Sequence, residues 1–303
     1  MAKIEARSKA IRRSSSDLVF DIVVLIIMIL FLIICMYPLY FMLIASFSDP
    51  AFVRTGQVLL LPKGFSLDGY ARILGEQKIW TGYRNTIVYT VLGTSLNVLL
   101  TVTAGYALSR KDLPGRRGIL MVIVFTMFFN GGMIPTYLLV ANLQLVDTVW
   151  AMILPTAVQV WNLMIARSFF ETNIPDELLD AAMIDGCRTL RFFAQIVMPL
   201  SKAIVAVLVL FYAISHWNAY FNALIYLESD HKYPLQIILR NILIQNQADV
   251  AMMEDMASII EKQKAAEMIK YGVIVVASAP VLALYPFVQK YFVTGIMVGS
   301  IKG

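Results

Sequence analysis

The sequence predicts an all-α membrane bundle of six spanning helices. Three observations carry that expectation. Apolar residues fill 59% of the 303 positions, charged residues fill only 15%, and the apolar residues gather into six long runs free of Asp, Glu, Lys and Arg. A water-soluble domain carries about 25% charged residues. A chain this apolar would expose wide greasy patches in water, so a bilayer is its natural solvent. Inside a bilayer every backbone polar group must be bonded within the chain, which makes a helix of about 20 apolar residues the spanning unit.

The first run covers 22–47 and follows the basic residues Lys9, Arg12 and Arg13. It stays apolar well past the ~7–15 residues of a cleavable signal core, so it reads as an uncleaved span. The second span is expected at 86–108, the third at 119–141, the fourth at 149–166, the fifth at 203–225 and the sixth at 271–288. Together they form a bundle over 22–293, flanked by tails 1–21 and 294–303. Basic residues near span ends set orientation. They cluster in the N-terminal tail (Lys3, Arg7, Lys9, Arg12, Arg13), between the second and third spans (Arg110, Lys111, Arg116, Arg117), and around the fourth–fifth connector (Arg167, Arg188, Arg191, Lys202). That side is the cytoplasm, and both termini lie on it. The opposite side holds long loops at 48–84 and 226–270 and a short turn at 142–148. Within the last loop, 248–269 mixes acids with Met and Ile at helical spacing and reads as an amphipathic helix outside the bilayer.

The only ionisable ring in the six runs is His216. Buried charges usually mark proton relays, so their absence argues against a proton-coupled pump. No phosphate-cradling G-x-x-x-x-G-K-[ST] loop occurs, nor H-E-x-x-H, nor G-x-S-x-G. The chain therefore offers no ATPase, metal or hydrolase site of its own, and no bound cofactor or catalytic residue is expected. The +5 net charge forms no continuous stripe, which excludes nucleic acid as a partner. Cys35 and Cys187 fall at different depths, so no disulfide is expected.

One loop, 169–200, is patterned. Pro175 suits a helix start, and Asp176 and Glu177 follow where carboxylates favour the positive helix end. Leu178, Leu179, Ala182 and Met183 repeat at helical spacing. Gly186 is a natural stop. A second helix begins near Thr189 with Phe192, Phe193, Ile196 and Val197 on one face, and Pro199 marks the bend into the fifth span. Spacing alone leaves two readings open, an interfacial elbow or a docking peg for a partner.

The stretch DAAMIDGCRTLRFFAQIVMP, 180–199, resembles the "EAA" loop of ABC importer permeases. Asp180, Ala181, Ala182, Asp185, Gly186, Ile196 and Pro199 stand at its marked positions. It departs in having Asp180 for Glu, and Ala203 where a second proline is frequent. SFSDP at 46–50, LPKGFSLDGY at 61–70, YRNTIVYT at 83–90, the Trp217–Asn218 pair and TGIMVGSIKG at 294–303 resemble the carbohydrate class related to the maltose importer. FFNGGMIPTYLL at 128–139 and YPLQIILRNIL at 233–243 resemble its oligosaccharide and polysaccharide branch.

The resemblance implies a type I ABC importer permease fold in a bacterial or archaeal cytoplasmic membrane. It implies a second, homologous permease, two ATPase subunits that use ATP and Mg2+, and an external substrate-binding protein. It places ATPase coupling on Asp180, Ala181, Ala182, Asp185, Gly186 and Pro199, and a contact of the C-terminal tail on Gly295, Gly299 and Lys302. Neutral amides and aromatic faces suit a sugar path, for which Asn130, Tyr137, Trp161, Asn162, Trp217, Asn218 and Tyr220 are the candidates. The rival expectation is an ion-coupled secondary transporter or channel that works without an ATPase.

Overall fold

The computed structural model describes residues 15–251 and 269–283, and among these every regular element is helical. The chain opens with α1 (Ser15–Ser46), two short helices α2 (Pro50–Arg54) and α3 (Asp68–Gly75), and the long α4 (Gln77–Ser109). Next come α5 (Arg116–Phe128), α6 (Met133–Asn142), α7 (Val149–Ile153) with a 3-10 turn to Thr156, and α8 (Val160–Asn173). The patterned loop follows as α9 (Asp176–Ile184), then α10 (Thr189–Phe192), which continues through a π turn (Phe193–Val197) into α11 (Met198–Leu200). α12 (Lys202–Trp217), α13 (Tyr220–Tyr226), α14 (Leu235–Ala251) and α15 (Ile269–Ala283) complete the described chain.

The protein is a multi-pass membrane bundle, but several expected spans are not straight rods. Only α1 and α4 are single helices long and apolar enough to cross, and three bent pairs raise the number of spans to as many as five. The expected third span breaks between α5 and α6 with a 114° bend. The cause is local. Gly132 adopts φ +83, open only to glycine at little cost. Pro135 follows within the first turn of α6, where its missing N–H does no harm. The fourth span bends by 54° between Thr156 and Val160, next to Pro155. The fifth is preceded by an 80° bend at Ser201, two residues after Pro199, and ends at Trp217, with α13 as a separate helix. The sixth is described as α15, and 284–288 lie outside the described residues. So do 1–14, residues 252–268 of the expected amphipathic stretch 248–269, and the tail 294–303.

α4 is the centre of the bundle. Asn85, Tyr89, Gly93, Asn97, Thr101 and Gly105 recur every four residues and form one inward stripe. Near the start of α4, Asn85 Nδ2 donates to the carbonyls of His231 (2.8 Å) and Tyr233 (3.1 Å), and Tyr89 donates to Lys232 O at 2.7 Å. Thr86 Oγ1 accepts from the Leu235 N–H, the first amide of α14, at 2.8 Å. Further along, Asn97 Nδ2 reaches Thr156 O (3.2 Å) and His216 Nε2 (3.0 Å), while Thr101 and Tyr212 share a 2.7 Å hydrogen bond. The two glycines permit close approach. A Cβ on Gly93 would overlap the His216 ring, and one on Gly105 would sit 2.9 Å from Ala166 Cβ.

At the end of the bundle away from α9, Asp147 staples two turns. Its carboxylate accepts from the Glu228 and Ser229 amides (3.1 Å each), from Ser229 Oγ (2.6 Å) and from Lys232 Nζ (2.6 Å). Burial works to raise this carboxyl, but the donated hydrogen bonds outweigh it and hold Asp147 well below its ordinary value of 3.8. α1 stands apart. Its side chains from Leu18 to Leu39 are mostly exposed and apolar, and only its last turn, with Ile44 and Ala45, is buried. An apolar helix open all round is one solvated by lipid or by another membrane chain.

Two outcomes follow. Gly93→Val, which must displace the His216 ring, should destabilise the purified protein by about 1–3 kcal/mol, read as a fall in thermal midpoint in detergent, whereas Gly118→Ala, with open space around it, should not. Asp147→Asn should remove a stabilisation that is full above the ordinary carboxylate range. In the parent protein that stabilisation fades only as pH falls below about 4, so parent and variant midpoints should converge under acid conditions and differ at pH 7.

Candidate functional site

α9 is a short helix closed at its C-terminal end by a glycine cap. Asp176 and Glu177 sit in its first turn, against the positive end of the helix. Its far end closes in a Schellman motif: Gly186 N–H donates to Met183 O at 3.0 Å and Cys187 N–H to Ala182 O at 2.9 Å. Gly186 carries φ +76, the left-handed state this motif requires. The glycine stop expected from sequence is therefore present in the backbone.

One face of the loop is part of the core. Leu179, Ala182, Phe192 and Val197 are buried in a cluster with Phe170, Leu208 and Tyr212, and Leu178, Phe193 and Ile196 pack beside them. The opposite face is bare. Asp180, Ala181, Asp185 and Gly186 are exposed, and Ile184 and Leu190 are 87% and 83% exposed. Of the alanine pair only Ala181 faces outward, because Ala182 belongs to the core. Pro199 lies in α11 and is exposed. Ile184 and Leu190, two large apolar side chains held out at a polar tip, are features the sequence reading missed. Their signal was present as apolar residues beside the glycine on the side away from the Leu179 stripe.

Charged side chains brace this rod. Arg110, which ends α4, donates to Asp176 at 2.9 Å and to Asp112 at 3.2 Å, and Lys111 lies 3.2 Å from Asp176. A second group closes on Glu171: Arg116 reaches Oε1 and Arg167 reaches Oε2, each at 2.6 Å. Both guanidiniums also donate to Leu108 O in the last turn of α4, at 2.8 and 3.4 Å, where cations suit the helix dipole. The basic residues read as orientation signals thus also tie α4, α5, α8 and α9 together. Between the α4 end and α9 lies a cleft of about 430 Å3, bounded by Tyr106, Arg110, Pro114, Leu179, Met183 and Leu190.

The residues expected to line a sugar path are divided. Trp217, Asn218 and Tyr220 line one cavity of about 660 Å3. Tyr137 instead stacks on Tyr226 at 6.2 Å, and Asn130 accepts from Gly132 N–H at the break between α5 and α6. Asn162 is buried and donates to Gln159 Oε1 at 3.2 Å, while Trp161 beside it is exposed. Among the described residues no cluster of His, Cys, Asp or Glu could hold a metal ion.

A lipid-solvated bundle with broken spans and a braced, exposed helix at one end is the build of a membrane transport permease. No family model matches the chain. It is 42% identical over 284 residues to the polygalacturonan/rhamnogalacturonan transport system permease protein YtcP of Bacillus subtilis (strain 168), covering 94% of this chain and 98% of that one. It is 38% identical over 270 residues to the protein LplC of the same organism, covering 89% and 90%. A chain in the crystal structure of a bacterial ABC transporter involved in import of the acidic polysaccharide alginate superposes with a TM-score of 0.82 at 34% identity, covering 92% and 98%. The chain belongs to the permeases of ABC sugar and polysaccharide transport systems. This membership sets aside the ion-coupled secondary transporter or channel.

Removing the brace should loosen the rod without dissolving it. Asp176→Asn should speed amide exchange across 176–187 about three- to fivefold, the scale of a partly exposed ion pair. Glu171→Gln should instead speed exchange at the start of α5. Hydrogen-exchange mass spectrometry of the purified protein reads both.

Proposed function

We propose that this chain forms half of the translocation pathway of an ATP-driven importer of oligosaccharides, and that α9 is the rod through which a separate ATPase moves it. The observation that carries the reading is a capped helix, packed on one face and bare on the other, at the end of the central span. A lever needs both properties. The packed face transmits displacement to α4, α8 and α12, and the bare face gives a motor something to hold. In this reading Asp180, Asp185 and Ala181 meet the ATPase, Ile184 and Leu190 fill apolar hollows on it, and Gly186 sets the turn. The loop 169–200 and both termini face the cytoplasm, and the loops 48–84 and 226–270 face outward, toward a substrate-binding protein. The bundle occupies 22–293.

The remaining parts follow from this arrangement. A second, homologous permease completes the pathway and covers surfaces that one chain leaves open. Two ATPase subunits bind ATP and Mg2+. The tail 294–303, with Gly295, Gly299 and Lys302, reaches the ATPase interface. The cargo is a fragment of a polysaccharide, in keeping with the polygalacturonan/rhamnogalacturonan and alginate systems among the relatives. The sugar path draws on Trp217, Asn218 and Tyr220, with Asn130, Tyr137 and Trp161 along its course.

The test is uptake of labelled oligosaccharide into proteoliposomes holding the complete transporter, with binding protein outside and ATP inside. Gly186→Val forces a β-branched residue into a left-handed backbone, a cost of about 1–2 kcal/mol, and should lower uptake and cargo-stimulated hydrolysis by about tenfold. Ile184→Asp should weaken ATPase retention during purification, and deletion of 294–303 should lower coupling. Normal uptake and normal cargo-stimulated hydrolysis in the Gly186 and Ile184 variants would remove α9 from the mechanism.

A further inference from the structure

The cavity beside Trp217 has the chemistry of a particular ligand. It is bounded by α12, α13, α14 and α15, with Trp217, Asn218, Tyr220, Gln236, Arg240 and Ser278 as its polar and aromatic lining. Its volume, about 660 Å3, falls in the range of small-molecule sites. Part of the wall is fixed. Trp217 Nε1 donates to Ala277 O at 3.1 Å, and Asn218 Nδ2 donates to Ile214 O at 2.9 Å. Tyr83 steadies the Trp217 ring from α4, with centroids 6.2 Å apart, and itself donates to Val276 O at 2.6 Å.

The rest of the lining is unspent. Among the described residues the side chains of Tyr220, Gln236, Arg240 and Ser278 make no hydrogen bond or ion pair. Among the described residues the rest of the lining is apolar and includes no Asp or Glu, so Arg240 is the one charged side chain on it. Arg240 is exposed and makes no ion pair among the described residues, so its guanidinium is free to meet an anion that enters the cavity. A guanidinium is shaped for two parallel hydrogen bonds to a carboxylate. An exposed tyrosine face, an amide and a hydroxyl suit the ring and hydroxyls of a sugar.

We propose that this cavity is a subsite for the carboxylate-bearing ring of an acidic oligosaccharide, with Arg240 as its specificity-determining residue. The proposal rests on the oligosaccharide-importer reading and deepens it. Arg240 clasps the carboxylate, Gln236 and Ser278 take ring hydroxyls, and Tyr220 lies against the sugar face. The site stands on α14, whose first amide is held by Thr86 of α4. Occupancy is thereby tied to the same central helix whose other end is braced to α9.

The experiment is equilibrium binding to the complete transporter in nanodiscs without binding protein, by calorimetry. The probes are trigalacturonate and its uncharged methyl ester. The parent should prefer the acid. Arg240→Gln should weaken the acid by about tenfold or more, the scale of a charge-assisted hydrogen-bond pair, and leave the ester unchanged. Arg240→Lys should recover part of the loss. Equal weakening of both probes, or no change for either, overturns the subsite. So does a parent that binds neither probe, while the uptake assay above judges the importer reading separately. Loss of a co-purifying anionic lipid from Arg240→Gln with unchanged carbohydrate binding assigns the guanidinium to a headgroup and also overturns the subsite.

Discussion

The break between α7 and α8 and the start of α14 depend on the polar face of α4. Breaking a span frees backbone N–H and C=O groups, and in hydrocarbon an unmet one costs several kcal/mol. The α4 stripe brings polar side chains to those places. Asn97 takes the Thr156 carbonyl at the α7–α8 break, and Thr86 takes the Leu235 amide where α14 begins. Tyr212, itself bonded to Thr101, accepts the Gln159 amide at 3.1 Å just ahead of α8. The two glycines in the stripe bring α12 and α8 close enough for these short side chains to reach. Without these side chains the freed groups at the α7–α8 break and the α14 start would have to find water.

The same helix explains how a movement at one end could be felt at the other. α4 ends at Ser109, and its next residue, Arg110, is bonded to the first residue of α9. Leu108 O receives both Arg116 and Arg167, so the last turn of α4 is fixed to α5 and α8 as well. None of these pairs is strong alone, since partly exposed ion pairs contribute about 1 kcal/mol or less. Their value lies in number and geometry. Three connected elements cannot shift against α9 one at a time, so a pull on α9 is shared by the bundle.

Much of this was legible in the residues. Composition and run length pointed to a membrane bundle, and the Asp180–Gly186 stretch pointed to a capped helix because propensity, charge placement and glycine conformation act within a few residues of one another. The straightness of the spans was misjudged. A run such as 119–141 is apolar throughout, and hydropathy does not register that Gly131, Gly132 and Pro135 fall close enough together to let the chain fold back. The brace was also hidden. Arg110 and Asp176 are 66 residues apart, and Arg116 and Glu171 are 55 apart, so their pairing depends on how α4, α5 and α8 lie together. Arg240 falls within the stretch 226–270 read as an outer loop, and its place beside Trp217 depends on packing between distant segments. Leu235, Ile238 and Leu239 of the same helix pack against Ile79, Trp217 and Val276, while Arg240 stays exposed beside them.

That placement changes what the charge inventory means. Read by runs, the membrane region held no Lys, Arg, Asp or Glu, which disfavoured coupling to an ion gradient. The helix bearing Arg240 packs beside Trp217, yet it adds a cation with no acid alongside. A proton relay needs a group that gives and takes protons near neutral pH, whereas a guanidinium stays charged throughout. The added charge therefore offers no proton relay and, on the proposed reading, bears on selection of the cargo. On the proposed reading, selection at the α14 end and drive at the α9 end are separate tasks, joined by one helix whose polar face also meets the α7–α8 break.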